Sequence, residues 1–343
     1  MQGPLRRDHV QILQINGLKT HFFTRVHTIR AVDGVDLALE TNQTLGIVGE
    51  SGSGKSVTAL SIMGLVPSSS GKIVGGEILY GNSGSPTDLA KLNPKGRQMR
   101  SIRGNDIAMI FQEPMTSLNP VFTIGRQITE AILLHQEVDR KAARRVAAQM
   151  LSEVGIADAR RHLASFPHQL SGGMRQRVMI AMALSCDPAI LIADEPTTSL
   201  DVTIQAQVLA LMNRLRHEFN MSIVFITHDL GVIAKMADRV AVMYLGKLME
   251  KAPVGEIFHD ARHPYTVGLL RSTPSLLSKG RSGLTPIPGT VPEYGIRPKG
   301  CVFAERCSFA DDRCKNRQPP SETVGDNHIV ACWKPVTGTD RVG

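Results

Sequence analysis

The run GIVGESGSGKS at residues 46–56 restricts the architecture of this chain more than any other stretch. It matches the pattern G-x-x-x-x-G-K-[ST], follows the apolar run TLGIV, and is followed by a helical pattern that starts at Lys55. A strand before the glycines and a helix after them distinguish a phosphate-binding loop from a chance match, because loop N–H groups and a helix N-terminus then surround the phosphate oxygens. The predicted nucleotide contacts are Gly49, Glu50, Ser51, Gly52, Ser53, Gly54, Lys55 and Ser56.

Chemical roles within this loop follow from its residue types. Lys55 is predicted to reach the β- and γ-phosphates, and the hydroxyl of Ser56 is predicted to bind Mg²⁺. A second motif, AILIADEPT, brings Asp194 and Glu195 to the end of a buried strand. Asp194 is therefore a predicted Mg²⁺ ligand, directly or through water, and Glu195 is predicted to polarise the water that attacks the γ-phosphorus.

Four apolar runs rich in Ile and Val predict buried strands of a mainly parallel sheet. They are TLGIVG (44–49), DIAMIF (106–111), AILIAD (189–194) and SIVFIT (222–227). Helical patterns separate them at 55–65, 124–185 and 204–219, so the fold class is α/β, with a mainly parallel core sheet and a helical insertion over about residues 113–185. Prolines and glycines become frequent after residue 258, which divides the chain into a nucleotide-binding domain (1–258) and a small loop-rich extension (259–343).

Apolar patterning and composition predict where in the cell the chain is located, but they do not identify the molecule that it binds. The N-terminus has no apolar segment typical of a secretory signal, and no run reaches the roughly 18–20 apolar residues of a membrane-spanning helix. We therefore expect a cytosolic chain with reduced thiols. The net charge of +8 is compatible with a polyanion or an anionic membrane surface, whereas an aromatic content of 4% offers few platforms for stacking nucleic-acid bases.

The segment HQLSGGMRQRV, between the two nucleotide motifs, resembles the LSGGQ signature of ABC-type ATPases, with Met174 in place of the usual glutamine. Further elements of that family follow in order: Gln112 matches the Q-loop glutamine, a Mg²⁺ and water contact, Asp201 the D-loop acid, and His228 the switch histidine. The resemblance implies a dimer in which each ATP lies between the phosphate loop of one subunit and the signature of the other. The predicted contacts across that interface are Ser171, Gly172, Gly173, Met174 and Asp201.

An aromatic residue that stacks on adenine is also implied by the resemblance. Phe22 or Phe23 in THFFTRVHT fits best, with Phe22 taken as the candidate. The loop before Ala31 is long enough for another residue to occupy that place, and a core role for either phenylalanine is an equal alternative.

Three classes of ABC protein compete for this chain: a transporter subunit, a soluble protein acting on ribosomes or DNA, and a regulatory ATPase. The segments FQEPMTSLNP and ARHPYTVGLLRSTP resemble the ATP-binding subunits of bacterial oligopeptide and dipeptide importers, and nickel importers share much of this pattern. The resemblance implies ATP and Mg²⁺ as cofactors, two membrane-spanning permease subunits, a second ABC ATPase subunit that is usually a paralogue, an extracytoplasmic substrate-binding protein and no nucleic acid. It also implies a peripheral location on the cytoplasmic face of the inner membrane.

Four of the five cysteines, Cys301, Cys307, Cys314 and Cys332, lie in the last 45 residues with the spacing C-x5-C-x6-C-x17-C. The residue types suit Zn²⁺ or an iron–sulfur cluster, and reduced thiols or disulfides without metal are the third alternative. The resemblance favours a [4Fe–4S] cluster, because some peptide-importer ATPases carry one in this extension. His328 is a weaker candidate ligand, and Cys186 is predicted to pack in the core.

Overall fold

Two β-sheets form the frame of the protein in a computed structural model that describes residues 10–81, 84–112, 117–198, 200–273, 286–292, 298–325 and 327–336. The strands are β1 (Gln11–Phe23), β2 (Thr28–Glu40), β3 (Thr44–Val48), β4 (Gly71–Tyr80), β5 (Thr87–Asp88), β6 (Ile107–Ile110), β7 (Ile190–Asp194), β8 (Ser222–Thr227), β9 (Arg239–Tyr244), β10 (Lys247–Pro253), β11 (Glu322–Gly325) and β12 (His328–Val330). The helices are α1 (Lys55–Ile62), α2 (Arg97–Ile102), α3 (Ile124–His135), α4 (Arg140–Glu153), α5 (Ala159–His162), α6 (Gly172–Leu184), α7 (Val202–Glu218), α8 (Leu230–Met236), α9 (Val254–His259), α10 (Pro264–Ser272) and α11 (Asp312–Asn316).

The larger sheet has eight strands in the order β11-β12-β10-β9-β3-β8-β7-β6. The five strands from β9 to β6 are parallel to one another, and every residue of β3, β7 and β8 is buried. Burial on both faces explains why these strands are continuous apolar runs in the sequence. Each of the four predicted runs forms one strand of this sheet.

The smaller sheet, with the order β2-β1-β4-β5, is antiparallel and was not predicted. The pairing of β1 with β2 contains four register shifts, and both strands mix exposed and buried positions. Bulges interrupt the two-residue alternation that identifies a half-buried strand, so the pattern is weak in the sequence. The inner face of this sheet packs with α1 and β3 in a second hydrophobic cluster that includes Leu18, Val35 and Ile47.

In its described residues, 117–189, the segment between β6 and β7 consists of helices joined by loops and contains no strand. Thr123 and Asp139 cap α3 and α4, since their side chains accept hydrogen bonds from the N–H groups of Arg126 and Ala142. Apolar residues recur on one face of each helix and are fully buried, as Ile128 of α3 illustrates.

The C-terminal extension joins the larger sheet, because β12 pairs with β10 and β11 pairs with β12. One of the prolines that suggested a loop, Pro264, begins α10 instead, at the first helical position where proline is well tolerated, and His263 caps this helix. Cys301, Phe303 and Cys314 belong to the same hydrophobic cluster as the helical segment. Among the described residues, none of the helices combines the length and the apolar character needed to span a bilayer.

Candidate nucleotide site

The predicted site residues follow the carboxyl ends of neighbouring parallel strands. The phosphate loop follows β3, His228 follows β8, Glu195 follows β7, and Gln112 lies two residues after β6. In the sheet these strands lie in the order β3-β8-β7-β6, so the residues meet at one edge although they are far apart in the sequence. Ligands of open α/β sheets bind at such an edge.

Two glycines of the loop occupy positions that no side chain fits. A Cβ at Gly49 would collide with the carbonyl oxygen of Met243, and one at Gly54 would collide with that of Ala31. Gly54 also has φ +98°, in the left-handed region that favours glycine, and it is the N-cap of α1. Glycine is therefore required at these two positions, because the backbone of the loop lies very close to the backbones of β9 and β2.

Lys55 is buried, with 5% of its surface exposed, and its ammonium group lies inside the loop. Its Nζ donates hydrogen bonds to the carbonyl oxygens of Gly49 at 2.7 Å and Glu50 at 3.0 Å. Burial lowers the pKa of Lys55, while the nearby carboxylates of Glu195, Asp194 and Glu50 act in the opposite direction. The ammonium group thus lies near three carboxylates and inside the loop, where it can bind a polyanion that enters the loop.

Ser56 and Asp194 form a pair of oxygen donors. The Ser56 hydroxyl donates a hydrogen bond to Oδ1 of Asp194 at 3.1 Å, and Asp194 is 3% exposed. Burial raises the pKa of Asp194, which the hydrogen bond from Ser56 partly offsets. A hydroxyl and a carboxylate at this separation fit the all-oxygen coordination that Mg²⁺ prefers.

Glu195 contacts both of the other predicted catalytic residues, His228 and Gln112. Oε1 of Glu195 lies 3.2 Å from Nδ1 of His228, and Nε2 of Gln112 donates to Oε2 of Glu195 at 3.4 Å. Glu195 also adopts φ 47°, an uncommon backbone conformation for a residue with a side chain. Such conformations concentrate at functional sites, and here the backbone N–H of Glu195 is held by the carbonyl oxygen of Ile226 at 2.9 Å.

The signature residues lie at the start of α6. Ser171 caps this helix by accepting a hydrogen bond from the N–H of Met174 at 3.3 Å, and both Ser171 and Gly172 are exposed. A Cβ at Gly172 would meet no atom within 4 Å, so contacts within this chain do not explain why this residue is glycine. Asp201 caps α7 and is exposed as well. The exposed face of these residues is available to another molecule.

The two candidate adenine contacts differ in their surroundings. The ring of Phe22 packs against Gly71 on the neighbouring strand, where an added Cβ would lie 2.8 Å from Cε1 of the ring. Phe23 is 52% exposed at the end of β1. Neither position decides which residue stacks on adenine, and Phe22 stays a prediction.

The four C-terminal cysteines are free thiols that influence one another electrostatically. Burial raises the pKa of Cys301 to about 11 and that of Cys332 to about 12, and the proximity of Cys307 and Cys314 adds to both shifts. The N–H of Lys334 donates to Sγ of Cys332 at 3.4 Å. His328 instead pairs with Glu250, its Nε2 lying 2.7 Å from Oε1, and Cys186 is buried with Sγ 3.7 Å from the carbonyl oxygen of Ala131.

Two polar contacts of this site were missed in the sequence. Thr198 donates from Oγ1 to Oε2 of Glu195 at 3.0 Å, and Arg306 of the extension forms an ion pair with Glu50 of the phosphate loop. Thr198 directly follows the DEPT run at 194–197, so proximity to Glu195 was a usable signal. Arg306 is 256 residues from Glu50 and carries no comparable signal.

The fold and this site define a P-loop ATPase of the ABC class. The solved structures it resembles include the dimeric MJ0796 ABC transporter cassette bound to ADP and Pi, with a TM-score of 0.62 and 25% identity over 71% of this chain and 98% of that one. The family model described as ABC transporter matches residues 32–198, and the one described as oligopeptide/dipeptide transporter, C-terminal region, matches residues 249–314.

Curated relatives extend the similarity over nearly the whole chain. The oligopeptide transport ATP-binding protein AppD of Bacillus subtilis is 52% identical, over 94% of this chain and 96% of its own length. The dipeptide transport ATP-binding protein DppD of the same organism is 51% identical, over 94% of each chain. This chain belongs to the family of ATP-binding subunits of peptide ABC importers, a class of ATPases that uses ATP and Mg²⁺. The family resemblance found in the sequence is thereby confirmed.

Proposed function

We propose that this protein hydrolyses ATP to drive the uptake of di- and oligopeptides through membrane subunits formed by other chains. The contact of Glu195 with both His228 and Gln112, beside the Ser56–Asp194 pair, carries the proposal for the ATPase site. The peptide class is supported by relatives that are named oligopeptide and dipeptide transport ATP-binding proteins.

In the proposed reaction, the loop N–H groups and Lys55 bind the β- and γ-phosphates, while Ser56 and Asp194, with Gln112, would hold Mg²⁺. Bound Mg²⁺ would neutralise phosphate charge as it develops. Glu195 orients a water and accepts its proton as the water oxygen bonds to the γ-phosphorus and the bond to the bridging oxygen breaks. ADP and phosphate then leave the site. The contact of His228 with Glu195 supports a role for His228 as a γ-phosphate contact.

We infer a second ATPase subunit from the exposed signature. Ser171, Gly172, Gly173 and Met174, together with Asp201, would contact the nucleotide bound by the companion, and the exposure of Ser171, Gly172 and Asp201 supports this role. The dimeric form of the similar MJ0796 cassette supports this arrangement. Closure of the dimer on ATP would be the movement that acts on the membrane subunits.

Two permease subunits and an extracytoplasmic binding protein complete the proposed complex, which puts this chain peripherally at the cytoplasmic face of the membrane. The test is peptide uptake in a strain that lacks the gene. We expect labelled di- and oligopeptide uptake to be lost and to be restored by the wild-type gene, but not by the Glu195→Gln variant. Normal peptide uptake in the deletion strain, with loss of nickel uptake, would contradict the peptide assignment.

The four C-terminal cysteines are proposed to hold a [4Fe–4S] cluster. Their thiols are buried or half-buried, and each of Cys301, Cys307 and Cys332 receives backbone N–H hydrogen bonds. Burial and, to a smaller extent, the neighbouring thiols raise the pKa of Cys301, Cys307 and Cys332, whereas a bound metal deprotonates its thiol ligands. Thiolates are ligands that an iron–sulfur cluster accepts, and a bound cluster would tie the extension to the core and stabilise it.

Substitution of one cysteine distinguishes the alternatives. In anaerobically purified protein we expect iron, sulfide and a broad absorbance at about 400 nm, all of which Cys332→Ser should remove. Cys186→Ser is the matched control and should keep them, since Cys186 packs beside Ser185 and Ala131. A colourless protein with one bound zinc would contradict the cluster, and a protein without any metal would contradict both metal proposals.

A further inference from the structure

Glu50, the residue after the first glycine of the phosphate loop, has all of its polar groups engaged. Its N–H donates to the hydroxyl of Tyr265 at 2.9 Å, and its carbonyl oxygen accepts from Lys55 at 3.0 Å. Its carboxylate accepts two hydrogen bonds from Arg306, at 2.7 Å and 3.1 Å. Tyr265 and Arg306 both belong to the C-terminal extension, so that extension holds the beginning of the loop at two points.

Arg306 is an unusual residue to find buried, with 9% of its surface exposed. Besides Glu50, its guanidinium donates to the carbonyl oxygen of Pro288 at 2.9 Å and to the hydroxyl of Tyr244 at 3.3 Å. Within the part of the chain that the structure describes, Glu50 is the one carboxylate paired with it. Because a planar guanidinium binds a carboxylate through two parallel hydrogen bonds, this pair has a defined geometry as well as a charge.

Three aromatic rings orient Arg306 toward the phosphate loop. The ring centroids of Tyr244 and Tyr265 are 4.7 Å apart, and Phe303 lies 5.4 Å from the first and 5.1 Å from the second. Tyr244 ends β9 in the main sheet, Tyr265 lies in α10, and Phe303 immediately precedes the 3-10 turn that ends at Arg306. These ring contacts hold Arg306 in a defined position against the phosphate loop.

The charge of Glu50 matters to the same amine that is proposed to bind phosphate. The Glu50 carboxylate interacts electrostatically with Lys55, as do Asp194 and Glu195. An uncompensated carboxylate here would repel ATP and would also compete with the phosphates for Lys55. Arg306 supplies the opposite charge from outside the loop.

We propose that Arg306 is a positioning residue for ATP binding, which neutralises Glu50 and, together with Tyr265, holds the phosphate loop in the form that accepts the nucleotide. The proposal rests on the nucleotide site proposed above. It gives the extension a direct role in the affinity for ATP, in addition to its place in the sheet.

A charge-rescue experiment on the full-length protein tests this role. The Kd for a fluorescent ATP analogue is measured for the wild type, Arg306→Met, Glu50→Gln and the double variant. We expect Arg306→Met to raise the Kd about tenfold, because Glu50 is left as an unpaired carboxylate beside the phosphates. In the Glu50→Gln background the same Arg306→Met substitution should raise the Kd by less than about threefold, because no unpaired carboxylate is then left.

Arg214→Met is the control, because Arg214 also pairs with a glutamate, Glu218 on α7, outside the nucleotide site. It should leave the Kd unchanged. Melting temperature and metal content are recorded for every variant, since Arg306 precedes Cys307.

An unchanged Kd in Arg306→Met, or an equally large rise in Kd when Arg306→Met is introduced into Glu50→Gln, would overturn the proposal in favour of a packing role. If Arg306→Met fails to fold, Arg306→Gln replaces it in both backgrounds, with the same expected results. Failure of the nucleotide site itself is recognised separately, by wild-type protein that does not bind the analogue.

Discussion

Glu195→Gln is expected to lower the rate of ATP hydrolysis by about 10²- to 10⁴-fold, the usual contribution of a positioned general base. Glutamine has nearly the same shape as glutamate and keeps an oxygen for the hydrogen bonds from Thr198 and Gln112. It has no negative charge with which to accept a proton from the attacking water. The loop, Lys55 and the Ser56–Asp194 pair are untouched, so ATP binding should persist.

The measurement is steady-state phosphate release, together with the Kd for ATP and size-exclusion chromatography with ATP present. The variant should bind ATP and accumulate as a dimer, because the nucleotide that closes the dimer is no longer consumed. Glu218→Gln is the matched control, since Glu218 is a surface partner of Arg214. Turnover at the wild-type rate in Glu195→Gln would remove Glu195 from its proposed role.

Lys55→Ala is expected to weaken ATP binding at least tenfold and up to about a hundredfold, which corresponds to losing a charged hydrogen bond worth about 1.5–3 kcal/mol. The ammonium group is the one cation of the loop motif itself, and its present partners are loop carbonyl oxygens that a phosphate would replace. Alanine also leaves the carboxylates of Asp194, Glu195 and Glu50 without this counter-charge.

Fluorescent-nucleotide titration measures this effect, and Lys72→Ala serves as the control because Lys72 is exposed on β4. Circular dichroism checks that the variant is folded. ATP binding within twofold of the wild type would show that Lys55 does not contact the phosphates, and the assignment of the loop would then need another cation.

Much of the site was predictable because its parts are local patterns. The loop glycines, the Asp194–Glu195 pair and His228 each adjoin a fully buried strand, and such strands are recognisable as apolar runs. Parallel strands bring their carboxyl ends to one edge of the sheet. A correct assignment of the strands was therefore enough to predict that the residues following them would meet.

The smaller sheet could not be predicted in the same way. Its strands β1 and β2 are half-buried and their pairing shifts register four times, so neither a continuous apolar run nor a steady alternation marks them. In addition, β1 pairs with β4, and β2, β3 and α1 separate these two strands in the sequence. Only contacts between distant segments select this arrangement.

By itself, the sequence determined the nucleotide loop, its acidic partners, the signature and the family, because each is written in residues that are neighbours along the chain. The tertiary structure decided how the extension joins the rest: its strand β12 pairs with β10, and Arg306 forms an ion pair with Glu50. An ion pair between residues so far apart depends on the path of the whole chain, and no short pattern encodes that path.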